Sequence, residues 1–316
     1  MTTGHRATIA SKIEVRRIFT IGLPYIDQHA GEIFFGPKDG YLYLTTGHGG
    51  NNTHGDPWNF SQKKKSLLGK VLRLDINHFP TPAEIVSLGL WGNYTIPSDN
   101  PYTNDTELKP EIWALGFRNP WRCSFDSERP SYLFCGDTGQ DRANASSTFE
   151  KVNLVTKDGN YGWRVYDGFD LFSPNYAPGG STPPDSINPI FPILGYHHGE
   201  TQNPSFSALV AGYVYRAKAD PCLSGRFIYA DILAADMWAA AETPYMSGNF
   251  TTQKVNFTCS KTTPIPCSFV GSTSIPQLSF LLSIGQDNNK DLFYITRTGV
   301  YRIVRSVHCG YKCNKS

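Results

Sequence analysis

The sequence is short of net charge. Its 29 lysines and arginines face 27 aspartates and glutamates, leaving +2. Beyond Lys63-Lys64-Lys65 there is no basic block, which argues against nucleic acid as the main partner. No run approaches the ~20 apolar residues that a membrane span needs. The opening residues, Met1-Thr-Thr-Gly-His-Arg6, lack the apolar core of a secretory signal. There is no Cys-x-x-Cys and no Cys/His spacing suited to zinc. Nor is there a Gly-rich phosphate loop or a Gly-x-Ser-x-Gly elbow, so nucleotide and serine-hydrolase chemistry have no anchor in the chain. Helix signals are scarce as well. The best is Thr81–Leu90, whose Thr-Pro-Ala-Glu start reads as a cap and first turn.

Breakers and aromatics are plentiful: 29 glycines, 22 prolines, 19 Phe, 17 Tyr and 6 Trp. That mixture favours many short strands joined by long loops, an all-β fold. The recurring unit is an aromatic-rich hairpin. It appears at 32–44 with Lys38-Asp39-Gly40 as its turn, at 121–135, at 225–239 and at 280–295. Further strands fit 67–76, 209–216, 254–259 and 300–305. The copies are unevenly spaced, which excludes a clean WD40 or kelch array. Four hairpins with strands between them suit a β-propeller with long insertions better than a sandwich, which is usually smaller. The domain expected over 13–306 is flanked by a disordered segment (1–12) and a C-terminal tail (307–316).

Seven cysteines are present. Cys123 and Cys135 bracket a strand-turn-strand stretch, so a disulfide across that hairpin is geometrically reasonable. Cys259 with Cys267, and Cys309 with Cys313, would close short loops, leaving Cys222 as the odd one. Asn-x-Ser/Thr sequons stand at Asn51, Asn59, Asn93, Asn104, Asn144, Asn249, Asn256 and Asn314. Together these features favour an extracellular or cell-surface protein. Such a body without an export signal implies that the N-terminal part is missing.

Several segments, taken in order, resemble the glucose/sorbosone dehydrogenase family of soluble quinoproteins, and within it a plant Hedgehog-interacting-protein-like branch. They are His29-Ala-Gly-Glu32 with Phe35-Gly-Pro and Gly47-His-Gly-Gly50; Ser66–Asp75; Ile96–Pro101; and Pro110-Glu-Ile-Trp-Ala-Leu-Gly-Phe-Arg-Asn-Pro-Trp121. Gly136-Asp-Thr-Gly-Gln140 and Gly159-Asn-Tyr-Gly-Trp163 follow. The likeness continues through Arg216–Asp231 and Asp287–Asp291. The resemblance implies a six-bladed propeller, of which about four blades lie in this chain. It also implies pyrroloquinoline quinone (PQQ) and calcium at one end of the channel, and oxidation of a sugar or polyol hydroxyl.

By that resemblance His29 is the base that takes the hydroxyl proton as hydride leaves for the quinone. Arg118 and Asn119 match the pair beside the cofactor; an arginine fork suits a carboxylate and can lie over a conjugated ring. The carbonyls of Gly139 and Gln140 match the calcium turn, and Tyr161 belongs to the same site. The family's metal-binding glutamate stands ten residues before that tyrosine. Here the position is Lys151, and Glu150 is one residue away. Either the register shifts and Glu150 substitutes, or the calcium site is lost. His48 also stands where the family often has Asp. There is no clear match to the lysine and paired arginines that anchor PQQ carboxylates in the family's bacterial glucose enzyme: Asp231–Trp238 has no basic residue, and Gly285–Leu292 offers only Lys290. His197 and His198 read as exposed loop residues, and Trp163 as packing. The competing reading is a non-catalytic propeller whose channel end binds a protein or glycan partner.

Overall fold

The computed structural model of the chain describes residues 16–50, 54–141, 147–233, 236–259, 264–265, 268–272 and 276–304. Their architecture is nearly all antiparallel β. The first sheet runs β1 (Ile33–Phe35), β2 (Leu42–Thr46), β3 (Lys70–Leu74) and β4 (Ile112–Leu115), in that spatial order. Between β3 and β4 sits the short helix α1 (Pro82–Leu88). Thr81 caps it in a capping box with Glu84, and Gly89 ends it in the left-handed conformation.

The second sheet is β5 (Pro120–Phe125), β6 (Leu133–Asp137) and β7 (Phe149–Val155). After a ribbon of β8 (Tyr166–Asp167) and β9 (Asp170–Leu171), β10 (Leu194–His197) adds beside β7. The third sheet is β11 (Leu209–Val214), β12 (Phe227–Asp231), β13 (Met237–Glu242) and β14 (Phe250–Lys254). A second ribbon, β15 (Ser268–Phe269) with β16 (Pro276–Gln277), precedes a three-stranded sheet of β17 (Leu281–Gln286), β18 (Leu292–Thr296) and β19 (Val300–Arg302).

Successive sheets bury their faces against each other. Tyr43, Val71 and Ala114 of the first pack on Leu133, Cys135 and Val155 of the second. Phe134 and Val152 meet Ala211, Phe227 and Tyr229 of the third. Val210 and Ile228 meet Leu281, Ile284 and Tyr294 of the last. A strand apolar on both faces follows, and β12, Phe-Ile-Tyr-Ala-Asp, is buried at every position. The edge strands of the last three sheets lie together, β11 against both β5 and β17. This is the side-by-side arrangement of propeller blades.

All four expected hairpins form. The strand expected at 254–259 lies earlier, at β14, while β4, β7 and β10, which carry no clear alternation, are strands beyond those expected. Cys123 and Cys135 are paired residues of β5 and β6 and form a disulfide. Cys222 is disulfide-bonded too, as is Cys259, which corrects the assignment of Cys222 as the odd cysteine. Cys267, Cys309, Cys313 and the sequons at Asn51, Asn144 and Asn314 lie outside the described residues, as do the segment 1–12 and the tail. No helix among the described residues is long and apolar enough to cross a membrane.

Candidate functional site

The site is built where β2 ends, β5 begins and β6 ends. Pro120 pairs with Asp137, and the next pair is Cys123 with Cys135, so Trp121 and Arg122 together oppose Gly136 in a bulge. Gly136 is required there. A Cβ would lie 2.3 Å from Leu209 Cδ2 and 2.9 Å from Ala211 Cβ. The Asp137 carboxylate at the end of β6 then accepts from the backbone N–H of Asn119 at 2.6 Å and of Arg118 at 3.2 Å, fixing the Arg-Asn-Pro turn. Burial pushes the Asp137 carboxyl up, against the opposing charge of Lys151.

Arg118 is 2% exposed. Its Nε donates to Gln140 Oε1 at 3.1 Å, and its Nη1 to Gln28 Oε1 at 3.1 Å and Thr138 Oγ1 at 3.0 Å. Its guanidinium stands 5.7 Å from the Trp163 ring centroid. Its Nη2 makes no hydrogen bond among the described residues. Asn119 Oδ1 is buried without a partner. The loop carrying His29 docks on the same point. Gly47 N donates to His29 O, Gly49 N to Gln28 O, and His48 N to Arg118 O. A Cβ on Gly47 would strike Gln28 O at 2.1 Å and Asn119 Oδ1 at 2.7 Å. His29 Nε2 lies 2.5 Å from Tyr25 O. A carbonyl only accepts, so Nε2 carries the proton and, in the neutral ring, Nδ1 keeps the lone pair.

Next to this cluster is a cavity of about 460 Å³, lined in part by Gln28, Arg118, Asn119, Gly139, Glu150 and His198. Arg118, Asn119 and Gly139 therefore meet at one wall. His29 stands behind Gln28 and does not line the cavity. His198, which the sequence placed on an exposed loop, is 4% exposed, and its Nε2 lies 2.9 Å from Glu150 Oε1. No local signal marks this contact, because β7 and β10 bring the two residues together from 48 positions apart. Trp163 is packing, as expected: 1% exposed and stacked on Phe172.

His48 is fully buried, accepts from Gly50 N at Nδ1 and leaves Nε2 unpaired. Burial, with Arg118, Arg164 and Lys151 nearby, holds its imidazole well below the usual histidine range.

Of the donors expected for calcium, the Glu150 carboxylate, Gln140 O and the Tyr161 hydroxyl already hold hydrogen bonds. Glu150 accepts from Gly139 N, His198 and, through Oε2, Leu209 N. Gln140 O accepts from Thr148 Oγ1. The Tyr161 hydroxyl donates to Leu154 O and accepts from Thr156 N. No group of three or more Asp, Glu, His or Cys among the described residues is arranged to hold a metal. A calcium ion wants six to eight oxygens, and this set does not fit it. A planar anion carrying carbonyl groups, as PQQ is, does fit the Arg118–Asn119 wall, where one cationic N–H donor and one amide are left over.

The sequence profile of the glucose/sorbosone dehydrogenase family matches residues 6–212. The chain belongs to that family. Within it the chain is 53% identical over 311 residues to the HIPL1 protein of Arabidopsis thaliana, covering 98% of this chain and 44% of that protein. It thus spans less than half the length of this curated relative. Over 121 residues it is 31% identical to the human Hedgehog-interacting protein, 36% of this chain and 16% of that one. Among solved structures, a glucose dehydrogenase superposes with a TM-score of 0.56 at 15% identity, covering 89% of this chain and 65% of that one. The PQQ-bound aldose sugar dehydrogenase of Streptomyces coelicolor superposes at 0.51 and 20% identity, covering 87% and 58%. These likenesses place this glucose/sorbosone dehydrogenase family member in the β-propeller fold of sugar dehydrogenases.

Proposed function

We propose that the chain contributes one wall of a PQQ site that oxidises a sugar or polyol hydroxyl, in an extracellular or cell-surface setting. The observation that carries this reading is that Arg118 and Asn119 both line one cavity, with Arg118 Nη2 unbonded among the described residues and Asn119 Oδ1 buried without a partner, beside the loop that carries His29. Bound PQQ would supply the hydride acceptor. Arg118 would hold a carboxylate or quinone oxygen with Nη2, its plane kept by Gln28, Gln140 and Thr138. Asn119, turned about its amide, would offer an N–H beside it. His29, which lies next to the lining Gln28 but outside the cavity lining, would take the hydroxyl proton at Nδ1 from a substrate reaching past Gln28, its ring kept in register by Tyr25 O. Gly139 and Glu150 line the cavity and Gln140 holds Arg118, whereas the Tyr161 hydroxyl bonds Leu154 and Thr156 at the other end of β7, so the reading dispenses with the calcium that the family pattern suggests.

The test is titration of PQQ into the chain with tryptophan fluorescence as readout, followed by turnover of aldoses with an artificial electron acceptor. Saturable quenching that disappears in Arg118→Ala, with turnover that disappears in His29→Ala, is the expected result. No quenching in the unmodified chain would overturn the proposal.

A second reading, a non-catalytic propeller that binds a protein or glycan, is favoured by one observation. Arg118 is the only lysine or arginine among the described residues lining the cavity, which also carries Asp141 and Glu150. Glycan binding without quinone binding in the same titration would select it.

A further inference from the structure

We propose that the Lys151 ammonium is a resident cation that holds the floor beneath Arg118, so that this site assembles without a divalent metal. Lys151 sits on β7 opposite Asp137 and Gly195 and is 4% exposed. Its Nζ donates to Asp167 Oδ1 at 2.7 Å and to Thr138 O at 3.3 Å, and lies 5.9 Å from the Trp163 ring centroid. The other Asp167 oxygen accepts from Gln140 N at 3.2 Å. One ion pair thus clamps three pieces of chain: strand β7, the Thr138-Gly139-Gln140 turn, and the β8 end of the ribbon.

The clamp also leaves few oxygens around the turn open to an incoming cation. Thr138 O accepts from Lys151 and from Arg118 Nη1, and Gln140 O from Thr148. Both Asp137 oxygens hold backbone N–H groups. A divalent ion placed there would have to displace an ammonium while facing the Arg118 guanidinium, with the exposed Asp141 as the carboxylate left at this turn to compensate. Two like charges at close range in a buried setting repel strongly even at an effective dielectric of about 20. A buried charge stripped of its partner is correspondingly destabilising. Asp167 without Lys151, or Lys151 without Asp167, should therefore be worse than the chain lacking both.

This inference does not rest on the quinone reading, and a chain that binds no quinone would leave it standing. The experiment is calorimetric titration of the whole chain with calcium chloride alone, with thermal melts in EGTA and in excess calcium. The expected result is no saturable heat and a melting temperature unchanged to within about 1 °C. A saturable site of sub-millimolar Kd, or a clear rise in melting temperature with calcium, would overturn the proposal. The variants Lys151→Met, Asp167→Asn and their combination test the clamp itself. Each single change should lower the melting temperature by about 5 °C or more, and the double variant should melt well above the sum of the two losses. Strictly additive losses would overturn the role assigned to the ammonium. If a single variant fails to fold while the double variant folds, the same conclusion stands.

Discussion

His198 Nε2 lies 2.9 Å from Glu150 Oε1, and both side chains are buried in the wall that also presents Arg118. Glu150 is the hub of this wall. Its two oxygens gather N–H groups from the Gly139 turn, the start of β11 and the His198 ring. Its neighbour Lys151 faces the other way, toward Asp167, because alternate residues of a strand point to opposite faces. Glu150→Ala should destabilise the chain by roughly 3–5 kcal/mol, since it strands three buried donors. Glu150→Gln, which retains one acceptor oxygen, should cost about half as much. Urea denaturation of the two variants measures both, and an alanine variant within ~1 kcal/mol of wild type would show that the hub is not structural.

The imidazole of His48 makes a pH prediction whose sign is fixed by its environment. Burial beside Arg118, Arg164 and Lys151 depresses its proton affinity in the fold, whereas the unfolded chain takes the proton at an ordinary value near 6.5. The contribution is therefore fully present above pH 6.5 and is lost as pH falls. Each unit below that point removes up to ~1.4 kcal/mol. Asp231 acts in the opposite sense: burial pushes its carboxyl up to about 6, so its contribution is present at low pH and is lost as pH rises from 3.8 to 6. The two overlap, and the clean observable is a difference. The stability of wild type minus that of His48→Gln should fall steadily between pH 6.5 and 5. A difference that stays flat would mean that His48 titrates normally in the folded protein.

How much of this was legible in the residues follows from what each signal is made of. The hairpins at 32–44, 121–135, 225–239 and 280–295 were readable because alternation and a turn sequence are local. Strand β7, Phe-Glu-Lys-Val-Asn-Leu-Val, was not, because Glu150 and Lys151 break the apolar alternation. Both are buried only because β10 and the β8 ribbon cover them from far along the chain. The same holds for His198, polar and flanked by Gly199, which looks like a loop residue until Glu150 is known to face it. Arg118 and Asn119 were legible through their motif. The contacts that set the guanidinium plane come from Gln28, Thr138 and Gln140, which no spacing in the sequence connects.

At the opposite end of the second sheet, Asp126 joins two sheets. It accepts from Arg129 Nε at 2.7 Å and from Arg216, at the end of β11, through Nε at 2.9 Å and Nη2 at 2.6 Å. Arg129 in turn pairs with Glu242 of β13. Asp126→Ala removes the anion from beneath two arginines and should destabilise by roughly 3–5 kcal/mol. Added salt should not mask this, because the carboxylate is fully buried and screening acts mainly on exposed pairs. Measuring the variant at 0.05 and 0.5 M sodium chloride checks both claims.

The Cys123–Cys135 disulfide closes a loop with a sequence separation of 12, within one hairpin. Chain-entropy reasoning gives such a loop roughly 3 kcal/mol, less whatever structure the hairpin retains when unfolded. The double variant Cys123→Ala with Cys135→Ala should therefore remain folded but unfold at lower urea. A loss of folding altogether would show that the pair does more than restrict the unfolded chain.

The sequons divide by exposure, and this gives a test of the extracellular reading. Asn104, Asn249 and Asn256 are exposed, whereas Asn59 is 6% exposed and its Nδ2 donates to Thr182 Oγ1 at 2.8 Å. Asn59 also has φ of +59°, a left-handed conformation held by the turn from Asp56, whose carboxylate caps Phe60 N and Ser61 N. A glycan on that nitrogen would have to break the Thr182 bond and leave through packed chain. When the protein is expressed through a secretory pathway, site mapping by mass spectrometry after enzymatic deglycosylation should find Asn104, Asn249 and Asn256 modified and Asn59 bare. High occupancy at Asn59 in folded, secreted material would contradict the packing of that turn. No occupancy at the three exposed sites would remove the support that the sequons lend to an extracellular location.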